Sequence, residues 1–497
     1  MSATLQFGNG KSAKVQTGLF INNKFQPAAD GKTFAVVNPT NGKEIAQVSE
    51  ASAKDIDVAV KAAREAFNTV WGYNTPGKVR GQICMKLAEL IEANVAELAA
   101  IESLDNGKAF SIASGFDIPE AAANFRYFGG WADKNHGKVM EVDGSKLCYT
   151  RHEPIGVCGQ IIPWNFPFLM MAWKIAPALA TGNTIVLKTA EQTPLSALKF
   201  AELIEQAGVP PGVINIVSGF GPVAGAAISK HMDIDKVAFT GSTLVGRSIL
   251  SAAASSNLKK TTLELGGKSP NIVFNDADID QAVSWSCFGI NFNHGQTCCA
   301  GSRLYVQAGI YDQFQEKLLQ KYKSVNVGDP FAEATFSGPQ VSQLQFDRIM
   351  SYIDSGKQDG AKVLTGGARK GNEGYFIEPT IFTGVDPQSK IAREEIFGPV
   401  LVLQKFEDEA DLLRIANDSI YGLAAAVFSR DITRALDTAH KLQAGTVWVN
   451  CYNQLFPNVP FGGFKSSGIG RELGEYALSN YTNVKSVICN LTAPAPL

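Results

Sequence analysis

The run FNHGQTCCAGSR, residues 292–303, sets two cysteines side by side among glycines and small residues. A thiol acts as a nucleophile through its thiolate, which needs a lowered pKa, access, and backbone N–H groups nearby. A loop entering a helix would supply all three, and such a loop is expected here. Cys298 and Cys299 would serve equally well as buried packing thiols, the commoner role of an intracellular cysteine, and the run alone leaves both readings open. His294 precedes Cys298 by four positions. Catalytic dyads are assembled in space, and no second Cys/His cluster completes a zinc shell, so His294 is read as structural.

A second run, TTLELGGKSPNIV at 261–273, ends a β-rich stretch with a carboxylate between two leucines and two glycines. Partial desolvation by Leu263 and Leu265 would raise the Glu264 pKa toward the range of a general base. A lone glutamate in a strand is usually a solvated face, but Gly266-Gly267 argues for close approach by another group. The third run is IIPWNFP, 161–167. Bracketed by prolines and aromatics, Asn165 is held rigidly, and its amide could face a developing oxyanion without adding charge. Without context, Pro-Trp-Asn is only a turn.

Gly219-Phe-Gly221-Pro-Val-Ala224 follows the strand-like VINIVS and precedes a helical pattern, matching the dinucleotide fingerprint GxGxxG/A. A second glycine turn, FTGSTLVG at 239–246, would present helix N-terminal amides to a phosphate. Lys188 and Glu191, just after another strand, could take ribose hydroxyls. A carboxylate there would repel a 2′-phosphate, which favours NAD over NADP.

These runs need elements to hold them, and 497 residues exceed one ordinary domain. The first fifty residues read as small antiparallel strands, with Asn41-Gly42 as a hairpin turn. Helical spacing begins at Ser52 and includes one long run from Gly77 to Asp105. From Val157 to Ser269, and again from NIVFN to Val449, β-rich and helical runs alternate, as in parallel sheets covered by helices. Two α/β domains with a catalytic cleft between them are expected. SKLCYTRHE (145–153) and NVKSVICNL (483–491) read as lone exposed strands, assigned to subunit contacts because each edge asks for a partner.

A net charge of −2, from 45 basic and 47 acidic residues, offers no field for nucleic acid or an anionic membrane. Eight dispersed cysteines point to a reducing, cytoplasmic compartment. The N-terminal run has neither a signal-peptide core nor an import pattern. The uncharged stretch 154–173 is long enough to span a bilayer, yet it holds Pro163, Pro167, Gln160 and Asn165, which makes it an interior segment.

With these pieces together, the sequence resembles the NAD(P)-dependent aldehyde dehydrogenases, close to their broad-specificity cytosolic and mitochondrial branch. PWNFP, LELGGKSP, GQTCCAGSR, EEIFGPV and PFGGFKSSGIGRELG occur in the family's order, and the likeness covers nearly the whole chain. It implies Cys298 as nucleophile, Glu264 as the base that activates water, Asn165 as oxyanion donor, and Lys174 and Glu472 as proton-relay groups. It implies a cofactor site of Ile162, Pro163, Trp164, Asn165, Lys188, Glu191, Gly221, Gly241, Ser242, Gly246, Leu265, Glu395 and Phe397. Ser242, at a helix start, would do much of what the GxGxxG turn does elsewhere. The substrate funnel would comprise Phe166, Met170, Trp173, Thr297, Cys299, Asn453, Leu455 and Phe461. Asn453 and Leu455 depart from the acidic and aromatic residues often found there, which leaves the preferred aldehyde open.

The resemblance further implies an α/β fold with a Rossmann-like NAD-binding domain (1–135 with 155–265), a catalytic domain (266–481) and a small β oligomerisation arm (136–154 and 482–497). NAD is the expected cofactor, NADP the less favoured one, an aldehyde the substrate, and a homotetramer the assembly, with no metal, nucleic acid or membrane partner. Two rivals make other demands. A CoA-acylating enzyme needs no water-activating base, and a fold-only protein that has lost its activity should have lost Cys298, Glu264 or Asn165.

Overall fold

The computed structural model describes residues 1–492, 494 and 495. The end of the 482–497 segment, at 493, 496 and 497, therefore lies outside the described residues. An α/β chain is built around two large sheets. The first has eight strands, and its parallel core runs Lys260–Glu264, Lys236–Thr240, Val157–Ile161, Thr184–Thr189, Ile214–Ser218 in spatial order. Strand order reverses at Val157–Ile161, where the chain steps one way to 184–189 and later the other way to 236–240. In such sheets the crevice outside the carboxyl ends of the strands, at this reversal, is where ligands bind. Ile161, Thr189, Ser218, Thr240 and Glu264 all stand at those ends.

The second sheet has seven strands, six of them parallel, ordered from Lys362–Thr365 at one edge to Thr446–Val449 at the other. Its strand Pro270–Val273 follows Glu264 after five residues, so one short connection, Leu265–Ser269, links the two sheets. Gly468–Ile469 returns antiparallel to Lys260–Glu264 and closes the edge of the first sheet.

Local chemistry explains the helices. Ser52 opens Ala53–Thr69, where its N–H donates to Asp55 Oδ2 (2.8 Å), and Ile56, Ala59, Val60, Ala63 and Phe67 repeat at helical spacing on the buried face. The run from Gly77 is two helices, Gly77–Ala93 and Val95–Asn106, broken at Asn94, whose side chain bonds back to the Leu90 carbonyl (2.7 Å). The uncharged stretch becomes the buried strand Val157–Ile161 and the wholly buried helix Pro167–Ala180. No helix among the described residues is long and apolar enough to cross a membrane. Asn41-Gly42 turns the hairpin of Thr33–Asn38 with Lys43–Ser49, Gly42 taking φ 71°.

The two strands read as lone edges are not lone. Lys146–Pro154 and Thr482–Asn490 pair antiparallel with each other along their whole length, and Val139–Met140 adds a third strand. Sequence separation hid this pairing, because each partner lies more than three hundred residues from the other. The outer side of Thr482–Asn490 remains the sheet's edge, and Val484 and Ile488 on it are exposed.

Candidate active site

The cysteine run leaves the helix Ile279–Asn291 and enters the strand Arg303–Gln307; it does not open a helix. The expected entry into a helix is therefore not found, and the loop is held by close packing and by left-handed backbone. Asn293, His294 and Gly295 take φ of 49°, 56° and 73° in succession. A Cβ on Gly295 would lie 2.2 Å from the Gly398 carbonyl, so only glycine lets the loop rest on the Gly398–Val400 segment. Gly267 serves the same purpose from the other side, since a Cβ there would lie 2.5 Å from the Cys298 carbonyl oxygen. Tyr452 donates its hydroxyl to the Cys299 carbonyl at 2.5 Å. His294 is buried, and burial together with Lys108 pushes its pKa down to about 3, so it is a neutral packing group. Among the described residues no group of three or more His, Cys, Asp or Glu is arranged to hold a metal.

A cavity of about 40 Å³ brings Cys298, Asn165, Glu264 and Glu472 together. Phe166, Met170, Trp173, Thr297, Cys299, Asn453, Leu455 and Phe461 line it as well. The sequence reading missed four of its walls: Phe116, Leu169, Thr240 and Phe292. Leu169 lies one helical turn before Trp173, and that spacing could have marked it. Phe116 gave no local signal; it sits in a π-helical turn, Ala113–Asp117, and meets the Phe292 ring edge-on at 5.8 Å.

The electrostatics are those of a buried pocket. Contrary to the lowered pKa expected of this loop, the neighbouring Cys299 thiol, and burial, push the Cys298 thiol well above its usual range. Burial, then the Glu472 carboxylate, push Glu264 well above the usual carboxylate range, while Lys174 pulls it back. Lys174 Nζ donates to Glu472 Oε1 (2.5 Å) and to Thr240 Oγ1 (2.6 Å). Asn165 Nδ2 donates one proton to the Gln296 carbonyl (2.9 Å), leaving its other proton unused by the protein. Asn453 accepts from the Cys299 thiol at 3.3 Å, while its own Nδ2 is buried without a partner.

At the reversal of strand order a cleft of about 910 Å³ is lined by Ile162, Pro163, Trp164, Lys188, Glu191, Gly221, Gly241 and Ser242. Ser242 caps the helix Thr243–Ala254, accepting from the Val245 N–H at 3.4 Å, so the free N–H groups of that helix face the cleft. Lys188, buried, donates to the Thr189 and Gly219 carbonyls and lies 3.6 Å from Glu191. Gly221 stands in a short π-helical turn after the strand Ile214–Ser218, as the fingerprint context requires. Gly246 and Leu265 pack behind this wall: a Cβ on Gly246 would meet Leu265 at 2.6 Å. Glu395 and Phe397 lie apart from the cleft, in a small recess with Gly267 and Thr297. Two contacts tie the recess to the rest. The Phe397 ring meets Trp164 edge-on at 5.2 Å, and Glu395, pushed up to about 7 by burial, accepts from the Gly267 N–H at 3.0 Å. A Cβ on Gly266 would strike Glu395 at 2.3 Å, so the group that the glycine pair makes room for is this carboxyl and the Cys298 backbone.

A thiol, a buried carboxyl and an amide meet around one cavity, next to a dinucleotide-sized cleft, an arrangement that suits a cofactor-dependent oxidoreductase. The family comparison agrees: residues 25–487 match the model of the aldehyde dehydrogenase family, and the chain belongs to that family. It is 60% identical over 480 residues to an aldehyde dehydrogenase of Agaricus bisporus, covering 97% of this chain and 96% of the relative. It is 56% identical to the mitochondrial aldehyde dehydrogenase of Homo sapiens, covering 94% and 91%. Among solved structures, the NAD+ complex of the aldehyde dehydrogenase from Bacillus cereus superposes with a TM-score of 0.95 at 49% identity, covering 96% of this chain and 97% of that one.

Proposed function

We propose that this enzyme oxidises an aldehyde to the carboxylic acid with NAD as oxidant, using Cys298 as nucleophile, Asn165 as oxyanion donor and Glu264 as the base for water. The observation that carries this reading is the meeting of Cys298, Asn165 and Glu264 on one small, largely apolar cavity. The residues present fit the cofactor. A helix N-terminus of unpaired N–H groups suits a pyrophosphate, and Glu191 beside Lys188 suits a ribose diol but repels a 2′-phosphate. When bound, NAD supplies the hydride acceptor, and everything else falls to the protein.

Once its proton has been lost to solvent, the Cys298 thiolate adds to the aldehyde carbon, and the oxygen becomes an anion that the spare Asn165 Nδ2 proton and the Cys298 N–H can meet. Loss of hydride leaves a thioester on Cys298. Glu264 then takes a proton from water as it attacks the thioester, the C–S bond breaks to release the acid and return the Cys298 thiolate, and the Lys174–Glu472 pair is set to carry charge and protons away from the pocket. A raised pKa makes Glu264, once ionised, a stronger base than an ordinary carboxylate.

The eight-stranded sheet supports reading 1–135 with 155–265 as the NAD-binding unit, and the seven-stranded sheet supports 266–481 as the catalytic unit. The three-stranded sheet, with Val484 and Ile488 exposed on its outer strand, supports the reading of an oligomerisation arm in a homotetramer. Eight free cysteines support a reducing, cytoplasmic compartment.

The test is a stopped-flow NADH trace on Glu264→Gln. A neutral amide cannot accept the proton, so acylation and hydride transfer should persist while hydrolysis stalls, giving a burst of about one NADH per site and then a slow steady rate. A missing burst would show that Glu264 acts first on Cys298, and an unchanged steady rate would show that it is not the base.

A further inference from the structure

A buried turn that plays no part in this mechanism packs against Asn165. Asp105-Asn106-Gly107-Lys108 ends the helix Val95–Asn106, and Asn106 and Lys108 are fully buried. Asn106 Nδ2 donates to the Trp164 carbonyl at 2.6 Å and the Asn165 carbonyl at 3.4 Å. Its Oδ1 accepts from the Lys108 N–H at 3.2 Å, so neither polar atom of the amide is idle. The Asn165 carbonyl takes a second bond from Asn293 Nδ2 at 2.9 Å. Lys108 Nζ sits 4.3 Å from the centroid of the Phe166 ring and pairs with Asp117. The turn itself cannot slide: Gly107 has φ 87°, and a Cβ there would lie 2.8 Å from Pro339 Cγ.

The Trp164–Phe166 segment belongs to no strand or helix, so the partly buried Trp164 carbonyl and the buried Asn165 carbonyl take their partners from elsewhere. Among the described residues, Asn106 is the one that bonds both the Trp164 and the Asn165 carbonyl. Without it the Trp164 carbonyl would lose its donor and the Asn165 carbonyl would keep only Asn293, so the main chain between them could turn and carry the Asn165 side chain with it. We propose that Asn106 is a positioning residue for the reaction: it fixes the Trp164–Asn165 main chain and thereby aims the Asn165 amide, without touching substrate. The proposal rests on Asn165 being the oxyanion donor.

The experiment is a double-mutant cycle on the full-length enzyme, with Asn106→Ala, Asn165→Ala and the pair. It is read as the single-turnover rate constant of NADH formation with saturating enzyme and NAD in excess over aldehyde. That rate constant does not depend on the fraction of intact sites, so simple loss of folded protein leaves it unmoved. Asn106→Ala is expected to slow it by roughly ten- to a hundredfold, the scale of a misplaced catalytic group. In the Asn165→Ala background the same change should cost less than about twofold, because two residues acting through one group do not add. Asn106→Ser replaces the alanine variant in the cycle if the latter does not accumulate as folded protein. A wild-type rate constant in Asn106→Ala or Asn106→Ser, or an equal loss in both backgrounds, would overturn the positioning role. An unchanged rate in Asn165→Ala alone would instead remove the oxyanion reading on which it rests.

Discussion

Lys174 Nζ and Glu472 Oε1 lie 2.5 Å apart, one on a wholly buried helix and the other next to the segment that closes the first sheet, and both bear on Glu264. Their charges act in opposite senses. Glu472 helps to hold the Glu264 pKa up, whereas Lys174 holds it down. Thioester hydrolysis needs Glu264 ionised, so its rate should rise with pH through the folded-state pKa. Lys174→Gln should therefore move that limb to higher pH and Glu472→Gln to lower pH, as followed by the steady-state rate against pH. Shifts of the same sign would mean that the pair does not act on Glu264 through charge. A raised acid pKa also adds stability while the carboxyl is protonated, and that stability is lost as pH rises through the folded-state value. Glu264→Gln should lack this loss, which thermal melts across the same pH range would reveal.

Cys298 and Cys299 are separated by function in the proposed scheme and by burial in the structure, Cys299 being buried and Cys298 partly exposed. Cys298→Ala should lower dehydrogenase activity by about 10⁴-fold or more and abolish thiol-dependent ester hydrolysis, since one nucleophile serves both. Binding of NAD, measured by calorimetry, should persist. Activity above a trace would transfer the role to Cys299.

Glu191 stands 3.6 Å from Lys188 on the wall of the cleft, where the proposed function puts the ribose. Glu191→Gln should improve the NADP-to-NAD ratio of kcat/KM by roughly tenfold, as expected when a like charge is removed from beside a phosphate. An unchanged ratio in steady-state kinetics would show that this carboxylate does not read the 2′ position.

Val484 and Ile488 are exposed on the outer strand of the three-stranded sheet. If that strand is the subunit contact, the wild-type chain should scatter light as a tetramer at micromolar concentration, and Val484→Lys with Ile488→Lys should break it into smaller species. A monomer mass for the wild type would exclude the assembly.

Much of the site was legible because the family's motifs are contiguous runs. PWNFP, LELGG and GQTCC each pack their chemistry into a few residues, and each lands on the cavity. Likewise, alternation of β-rich and helical runs foretold the parallel sheets, because hydrophobic period is a local property. The Asn41-Gly42 hairpin was readable for the same reason.

What only the tertiary structure decided are relationships across long separations. The pairing of 146–154 with 482–490, the Phe116 wall and the clamp from Asn106 to Asn165 all join segments with no shared local pattern. The direction of the Cys298 loop, into a strand and not a helix, was set by how closely Gly398 and the Gly266-Gly267 turn approach it. A pKa such as that of Glu264 belongs here too: a sequence names the carboxyl, but burial and the nearby Lys174–Glu472 pair, which exist only once the chain is packed, set how tightly it holds its proton.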